Sequence, residues 1–449
     1  MNPFIKTCSL ALLVASASTL SWAESLEDIY QLALQNDAKL KAAEASYRAN
    51  IEREEQAFSQ LLPQVIGSYS YSESDQDYSS QGNATTETTT LSVSLEQKLF
   101  DLSSWFTFQG GKALTEQAEA QLAADQQALI IRVATAYFNV LRAQDNLAAS
   151  KAEERATQRQ LEQTQQRYDV GLIAITDVHE ARAVYDNTVV QRLTFEGQLG
   201  TAYEALSVLT SQTHNSIWSL KEDYPVIDPT PLDRKQWVEF ALKNNYQLKA
   251  VTAAKAASHQ NAKAKKMNHM PTVTASYRYN DTSSVNDFSG YIGYYLFDES
   301  EDSVWEVRLS VPIFSGGGVS SQRREAYEQY NASFQQEIDT RRGIIQGTRT
   351  LHLNVTTDVQ RVKARARGII STRSALEATE AGYEVGTRNI VDVLQAQRGL
   401  YAAIRDYANS RYDYVINLLT LKQQAGLLSP QDILDLNTWL TPLALKSNP

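Results

Sequence analysis

Residues 112–170 form a run of 59 residues with neither glycine nor proline. As one helix the run spans about 90 Å at roughly 1.5 Å per residue. No ordinary compact domain holds a helix of that length, since globular helices run about 8–20 residues. Within it Leu129, Val133, Tyr137, Val140, Ala143 and Leu147 recur at spacings of three and four. Such a stripe suits either a coiled-coil seam between chains or a helical bundle within one. The run ends in RYDVGLIAITDV, residues 167–178.

That interruption is written again as GYEVGTRNIVDV, residues 382–393, at an offset of 215. ALQNDAKLKA (33–42) matches ALKNNYQLKA (241–250), and LPQVIGSYSY (62–71) matches MPTVTASYRY (270–279), both at 208; Phe100 and Phe314 match at 214. A period of roughly 200 residues is far longer than any solenoid repeat. The chain therefore reads as a tandem duplication, with units at 24–231 and 232–428 and a closing segment at 429–449. The second long helix is expected from about Val319 to Ala381, across Gly343, Gly347 and Gly368.

Each unit opens with helix. Ser25 and Asp28 have capping spacing, Asp37 restarts the helix after Asn36, and Pro63 ends it. Period-two alternation then marks strands at about 62–73 and 89–100, and at about 270–281 and 303–314. Val65, Tyr69, Tyr71, Leu91, Val93 and Leu95 fall on one face, Ser68, Ser70, Ser92 and Ser94 on the other. Tyr277, Tyr279, Trp305, Val307 and Leu309 repeat the apolar face in the second unit. A polar loop joins each pair. Alternation alone fits solvated hairpins as well as barrel strands with aromatic ends.

An export signal favours the barrel. Lys6, the apolar run SLALLVASASTL and Ser21-Trp22-Ala23 make residues 1–23 a signal peptide. Cys8, the one cysteine, lies inside it, so the processed chain has no disulfide and no thiol nucleophile. The formal charge of -10 becomes -11 without Lys6, which argues against nucleic acid as a partner. After the leader no apolar stretch reaches 18 residues, so a membrane can be crossed only as a β-barrel. Four strands cannot close one, since about eight is the smallest bilayer barrel, and open edges are not tolerated in lipid. Several chains must contribute, and three would give twelve strands.

The signal peptide, the duplication, the PxVxxSYxY strands and the paired VGLIAITDV and VGTRNIVDV motifs together resemble the TolC family of trimeric outer-membrane efflux ducts. The resemblance covers residues 24 to about 440. It implies an all-α homotrimer with a membrane β-barrel portion: four strands per protomer, long coiled-coil-like helices from the tandem repeat, a twelve-stranded β-barrel in outer-membrane lipid, and a periplasmic α-helical barrel below it. Residues 211–231 and the segment after about 428 would girdle the tube. The implied partners are a periplasmic adaptor protein and an inner-membrane transporter, and the implied cargo is drugs, secreted proteins of the type I route, or both.

At the two motifs, Gly171 and Gly386 have the position of left-handed helix stops. Asp177 with Glu180, and Asp392 with Gln395, have the spacing of capping boxes, so each motif reads as stop, turn and capped restart. The resemblance adds roles. Thr176 and Asp177 would face Tyr383 and Arg388 as a latch that holds the periplasmic mouth closed. Asp392 would form a ring of three carboxylates in the throat, with Gln395 one turn on, where an acidic residue can form a second ring. Val170, Gly171 and Leu172, with Val385, Gly386 and Thr387, would receive the tips of the adaptor.

Nothing points to catalysis or to a cofactor. His179, His214, His259, His269 and His352 are scattered, and His179-Glu180 lacks the second histidine of a zinc-protease helix. Gly316, Gly317 and Gly318 lack the Lys-Ser/Thr of a phosphate loop and mark a strand-to-helix junction. Lys263, Lys265 and Lys266 read as a solvated helix end. The competing reading is a secreted structural coiled-coil trimer, a spacer or adhesin without a conducting lumen, which leaves the strand alternation and paired motifs unexplained.

Overall fold

The structure, a computed structural model, describes residues 24–78, 82–288 and 295–442. The expected signal peptide with Cys8, parts of the two expected polar loops (79–81 and 289–294) and residues 443–449 lie outside the described residues.

One order of elements occurs twice. The first copy holds α1 (Leu26–Asn36), α2 (Ala38–Ser59), β1 (Gln64–Tyr78), β2 (Gly82–Phe100), α3 (Leu102–Asp169) and α4 (Ile175–Thr210). After β3 (Ser219–Leu220) the second holds α5 (Arg234–Asn244), α6 (Tyr246–Met267), β4 (Thr272–Phe288), β5 (Tyr295–Ser310), α7 (Gly318–Glu384) and α8 (Ile390–Gln424). Helix α9 (Pro430–Asn437) and β6 (Leu440–Thr441) follow.

The local signals explain the breaks. The Asp28 amide donates to Ser25 Oγ at 3.2 Å while the Ser25 amide donates to the Asp28 carboxylate at 3.0 Å. Asp37 accepts from the Leu40 amide at 2.7 Å and from Arg132 Nη2 at 2.6 Å, so one side chain caps α2 and ties it to α3. Asn245, at the repeat-equivalent position, accepts from the Leu248 amide at 3.0 Å.

Helix α3 runs 68 residues, about 100 Å. It passes straight through Gly110 and Gly111, which serve packing rather than termination. A Cβ at Gly111 would lie 3.0 Å from Glu54 Cα on α2, and one at Gly110 would touch Gln260 on α6. Midway along α3 sits the main core. Leu129, Val133, Tyr137 and Val140 are fully buried there, among Leu26 and Ile29 of α1, Tyr414 and Val415 of α8, and Ile433 of α9. The apolar stripe is thus an intramolecular core, the second of the two options its spacing allowed. Around it β3 pairs with β6, Glu24 bridges to Ile217, and Tyr137 Oη donates to the Trp218 carbonyl at 2.8 Å. This brings residues 217–221 and 439–441 into one belt.

At one end of the helices stands an antiparallel sheet in the order β1-β2-β4-β5. The β2–β4 pairing joins the two repeats. In register, Val65, Leu95, Tyr277 and Trp305 form one row, and Gln64, Glu96, Ser276 and Glu306 the next, on the opposite face. The ladders run further than the alternation marks, through the Ser/Thr/Asp-rich stretches to Tyr78 and Phe288, because backbone pairing does not depend on side-chain polarity. Strand β5 instead stops at Ser310, short of 314, where Val311 precedes Pro312, which has no amide to donate. Among the described residues, β1 and β5 are left as open edges.

Candidate functional site: two hairpins at the far end

Each long helix ends far from the sheet in the same motif. The Leu172 amide donates to the Arg167 carbonyl at 2.9 Å and the Gly171 amide to the Tyr168 carbonyl at 2.8 Å. In the second copy the Thr387 amide donates to the Gly382 carbonyl at 2.8 Å and the Gly386 amide to the Tyr383 carbonyl at 3.2 Å. Both are Schellman caps, with Gly171 at φ 79° and Gly386 at φ 80°. Val170 and Val385 are 71% and 76% exposed, and Leu172 and Thr387 are exposed beside them. Among the described residues, nothing beyond its own chain neighbours lies within 4 Å of a Cβ built on either glycine. Two apolar, open turns therefore project from the tip.

The restarts differ from the capping expectation. Neither Asp177 nor Asp392 is an N-cap; both sit at the third helical position. Helix α4 starts from Ala174, which has no side chain to cap with. Helix α8 starts from Asn389, whose Oδ1 accepts from the Asp392 amide at 2.9 Å, while the Asp392 carboxylate accepts weakly from the Asn389 amide at 3.4 Å. The box is real in the second copy but shifted by three residues. Carboxylates at this position also meet the positive end of the helix dipole.

The latch residues are placed as follows. Thr176 Oγ1 donates to Asp177 Oδ1 at 3.4 Å, and both lie at the outer start of α4. Arg388 Nη1 lies 3.8 Å from Asp392 Oδ2, and its stem folds over the end of α7, so close to Gly382 that a Cβ there would stand 2.9 Å from Arg388 Cγ. Among the described residues of one chain, neither Thr176 nor Asp177 bonds to Tyr383 or Arg388. Tyr383 packs instead against two apolar clusters, one of Ala181, Ile390 and Leu394 and one of Leu376, Val393 and Leu400. Gln395 is exposed and lines a groove with Glu180, Val184, Val391 and Arg398.

A second groove of about 590 Å³ runs between the ends of α3 and α7, lined by Gln160, Gln163, Arg167, Val170, Glu380 and Tyr383 among others. Burial pushes the Glu380 carboxyl above its ordinary value, and like charge on Glu384 and Glu377 adds to the push. Asn389, Arg167 and Glu380 were not singled out from sequence. The repeat alignment held the signal for two of them, since Ala174 aligns with Asn389 and Arg167 with Gly382, so the copies differ at those positions.

The model of the outer membrane efflux protein family matches residues 29–212 and 237–427. The chain belongs to that family. As an outer membrane efflux protein it lies in the outer membrane of a Gram-negative bacterium. It is 38% identical over 433 residues to the outer membrane protein TolC of Vibrio cholerae, covering 95% of this chain and 97% of that one. It is 25% identical to the alkaline protease secretion protein AprF of Pseudomonas aeruginosa, over 92% of this chain and 86% of the relative. Its fold matches the CmeC outer membrane channel of Campylobacter jejuni with a TM-score of 0.75 at 18% identity, over 93% of this chain and 90% of the other. Each matched segment of this efflux protein carries one hairpin, and the unmatched residues between them include the belt strand β3.

Proposed function

We propose that this protein is an export duct of the outer membrane, for drug efflux, type I protein secretion or both. Three chains close one β-barrel of twelve strands, and their helices continue it as a tube across the periplasm. One observation carries the reading: the sheet has two open edges, β1 and β5, with an apolar face that includes Val65, Leu95, Tyr277 and Trp305. In hydrocarbon an open edge leaves backbone groups unsatisfied, so the sheet is complete only when copies meet edge to edge. No helix among the described residues is long and apolar enough to cross a membrane.

The two turns per chain then make six at the periplasmic mouth. Thr176, Asp177, Tyr383 and Arg388 act there as a latch, Asp392 with Gln395 as the throat, and the exposed Val170-Gly171-Leu172 and Val385-Gly386-Thr387 as the seat of a periplasmic adaptor. An inner-membrane transporter supplies the energy. A single exposed ion pair is worth about 0.2–1 kcal/mol, and threefold repetition makes it sufficient to bias a two-state opening. Purified trimers in planar bilayers test this directly: a small conductance that rises severalfold in R388S and D177N is expected. Trimers that insert yet never conduct, in any such variant, would establish the structural spacer instead.

A further inference from the structure

The geometry points to Arg167 as a positioning residue of the gate, which clasps the ring of Tyr383 and thereby couples the two turns at the tip. This inference rests on the gate reading above and adds a residue to it.

The Arg167 guanidinium lies over the Tyr383 ring, 4.7 Å from its centroid. That is within cation–π range, and the contact crosses from the end of α3 to the end of α7. Tyr383 Oη is buried and has no hydrogen-bond partner among the described residues of one chain. Within one chain, then, it is the face of the ring that is held, not the hydroxyl.

The backbones of the same two residues close the two turns. The Arg167 carbonyl accepts from the Leu172 amide and the Tyr383 carbonyl from the Gly386 amide. A partner that grips Val170, Gly171 and Leu172 pulls on the residue whose side chain lies on Tyr383. One that grips Val385, Gly386 and Thr387 pulls on Tyr383 itself. The clasp therefore links the exposed turns directly to the ends of α3 and α7, which must separate for the mouth to widen.

Divergence of the repeats gives the clasp its direction. The repeat-equivalent of Arg167 is Gly382, and that of Tyr383 is Tyr168. No second clasp can form in the mirror sense, because Gly382 has no side chain; the space beside it is taken by the Arg388 stem. Each chain has one clasp and a trimer three.

The test is single-channel conductance of purified trimers carrying R167M, R167K, Y383F, Y383L and the combinations R167M/Y383F and R167M/Y383L. R167M should raise the open-to-closed ratio roughly two- to fivefold per chain, the cation–π range at an exposed site. R167K should stay near the parent, since an ammonium also binds a ring face. R167M should keep its effect on the Y383F background, where the ring remains, and lose it on Y383L, a coupling that a purely structural role would not produce. An equal effect of R167M on Y383L overturns the clasp. An R167M channel that behaves like the parent while R388S opens overturns the clasp and leaves the gate standing. If neither opens, the gate fails and the clasp with it. Should R167M not assemble, R167Q, which keeps most of the stem, provides the same contrast.

Discussion

Arg405 Nη1 donates to Glu153 Oε2 at 2.7 Å, joining α8 to α3 between the belt and the tip. The Glu153 side chain is 7% exposed, and the same guanidinium lies over Phe195 of α4, 5.8 Å from its centroid. Three helices meet at one cation. Breaking a buried pair leaves an uncompensated charge, so R405M should cost about 3 kcal/mol or more, read as a lower urea midpoint. R405M/E153M should recover most of that loss. A double variant as weak as the single one would mean that packing on Phe195, not charge, is what counts.

Gly171 and Gly426 both lie at positive φ, 79° and 69°, yet their surroundings differ. A Cβ at Gly171 meets nothing within 4 Å, whereas one at Gly426 would stand 2.4 Å from the Asn244 carbonyl carbon. G171A should therefore cost only the left-handed backbone penalty, about 1–2 kcal/mol, with trimers intact. G426A should prevent assembly. Bulkier changes, G171L and G386L, should leave trimers in place and abolish resistance that depends on the adaptor, measured as drug susceptibility of a complemented deletion strain. Loss of trimer in G171L would remove the adaptor seat from consideration.

Much of this architecture was legible in residues. The repeat, the strand pairs and the two helix stops follow from Gly171 and Gly386, from Pro63 and from alternation at Val65, Leu95, Tyr277 and Trp305, all of them local rules of backbone and periodicity. What escaped was set by tertiary contact. The apolar stripe from Leu129 to Leu147 suits two packings equally, and only the packing of α1, α8 and α9 upon it decides between them. Gly110 and Gly111 mimic helix breakers and prove to be contact points. Spacing alone puts the cap of α8 three positions too late, because Asp392 and Asn389 both satisfy cap chemistry and only the backbone decides which one ends the turn. Arg167 could not be found at all from one copy, since its partner lies 216 residues away.

Acid should tighten the tip. Glu380 titrates above its ordinary value because of burial and of Glu384 and Glu377 beside it on α7, with Arg167 across the groove on α3. A carboxyl raised in the folded state contributes stability that is complete below its ordinary value of 4.5 and is lost as pH rises through the raised value. Lowering pH from 7 toward 4.5 should thus raise the protection factors of the amides at the ends of α3 and α7, that is, their exchange measured against the intrinsic rate at each pH. E380Q should show high protection factors throughout, nearly independent of pH in this window; an unchanged pH dependence of the protection factors would assign the effect to another group.

Block by multivalent cations should separate the two duties of Asp392. Its carboxylate accepts from the Asn389 amide in the capping box and carries the charge proposed for the throat. D392N keeps an acceptor in the box but removes the charge, so the start of α8 should stay folded while trivalent and hexavalent cations lose their block in planar bilayers. N389A does the converse: it should destabilise the helix start by about 1 kcal/mol and leave the block unchanged. Gln395, exposed one turn further on, offers the gain of function. Q395D adds a second ring of three carboxylates at the mouth, which should concentrate cations there and strengthen the block. Equal block in Q395D and the parent channel would place residue 395 outside the conducting path, and with it the assignment of this face of α8 to the throat.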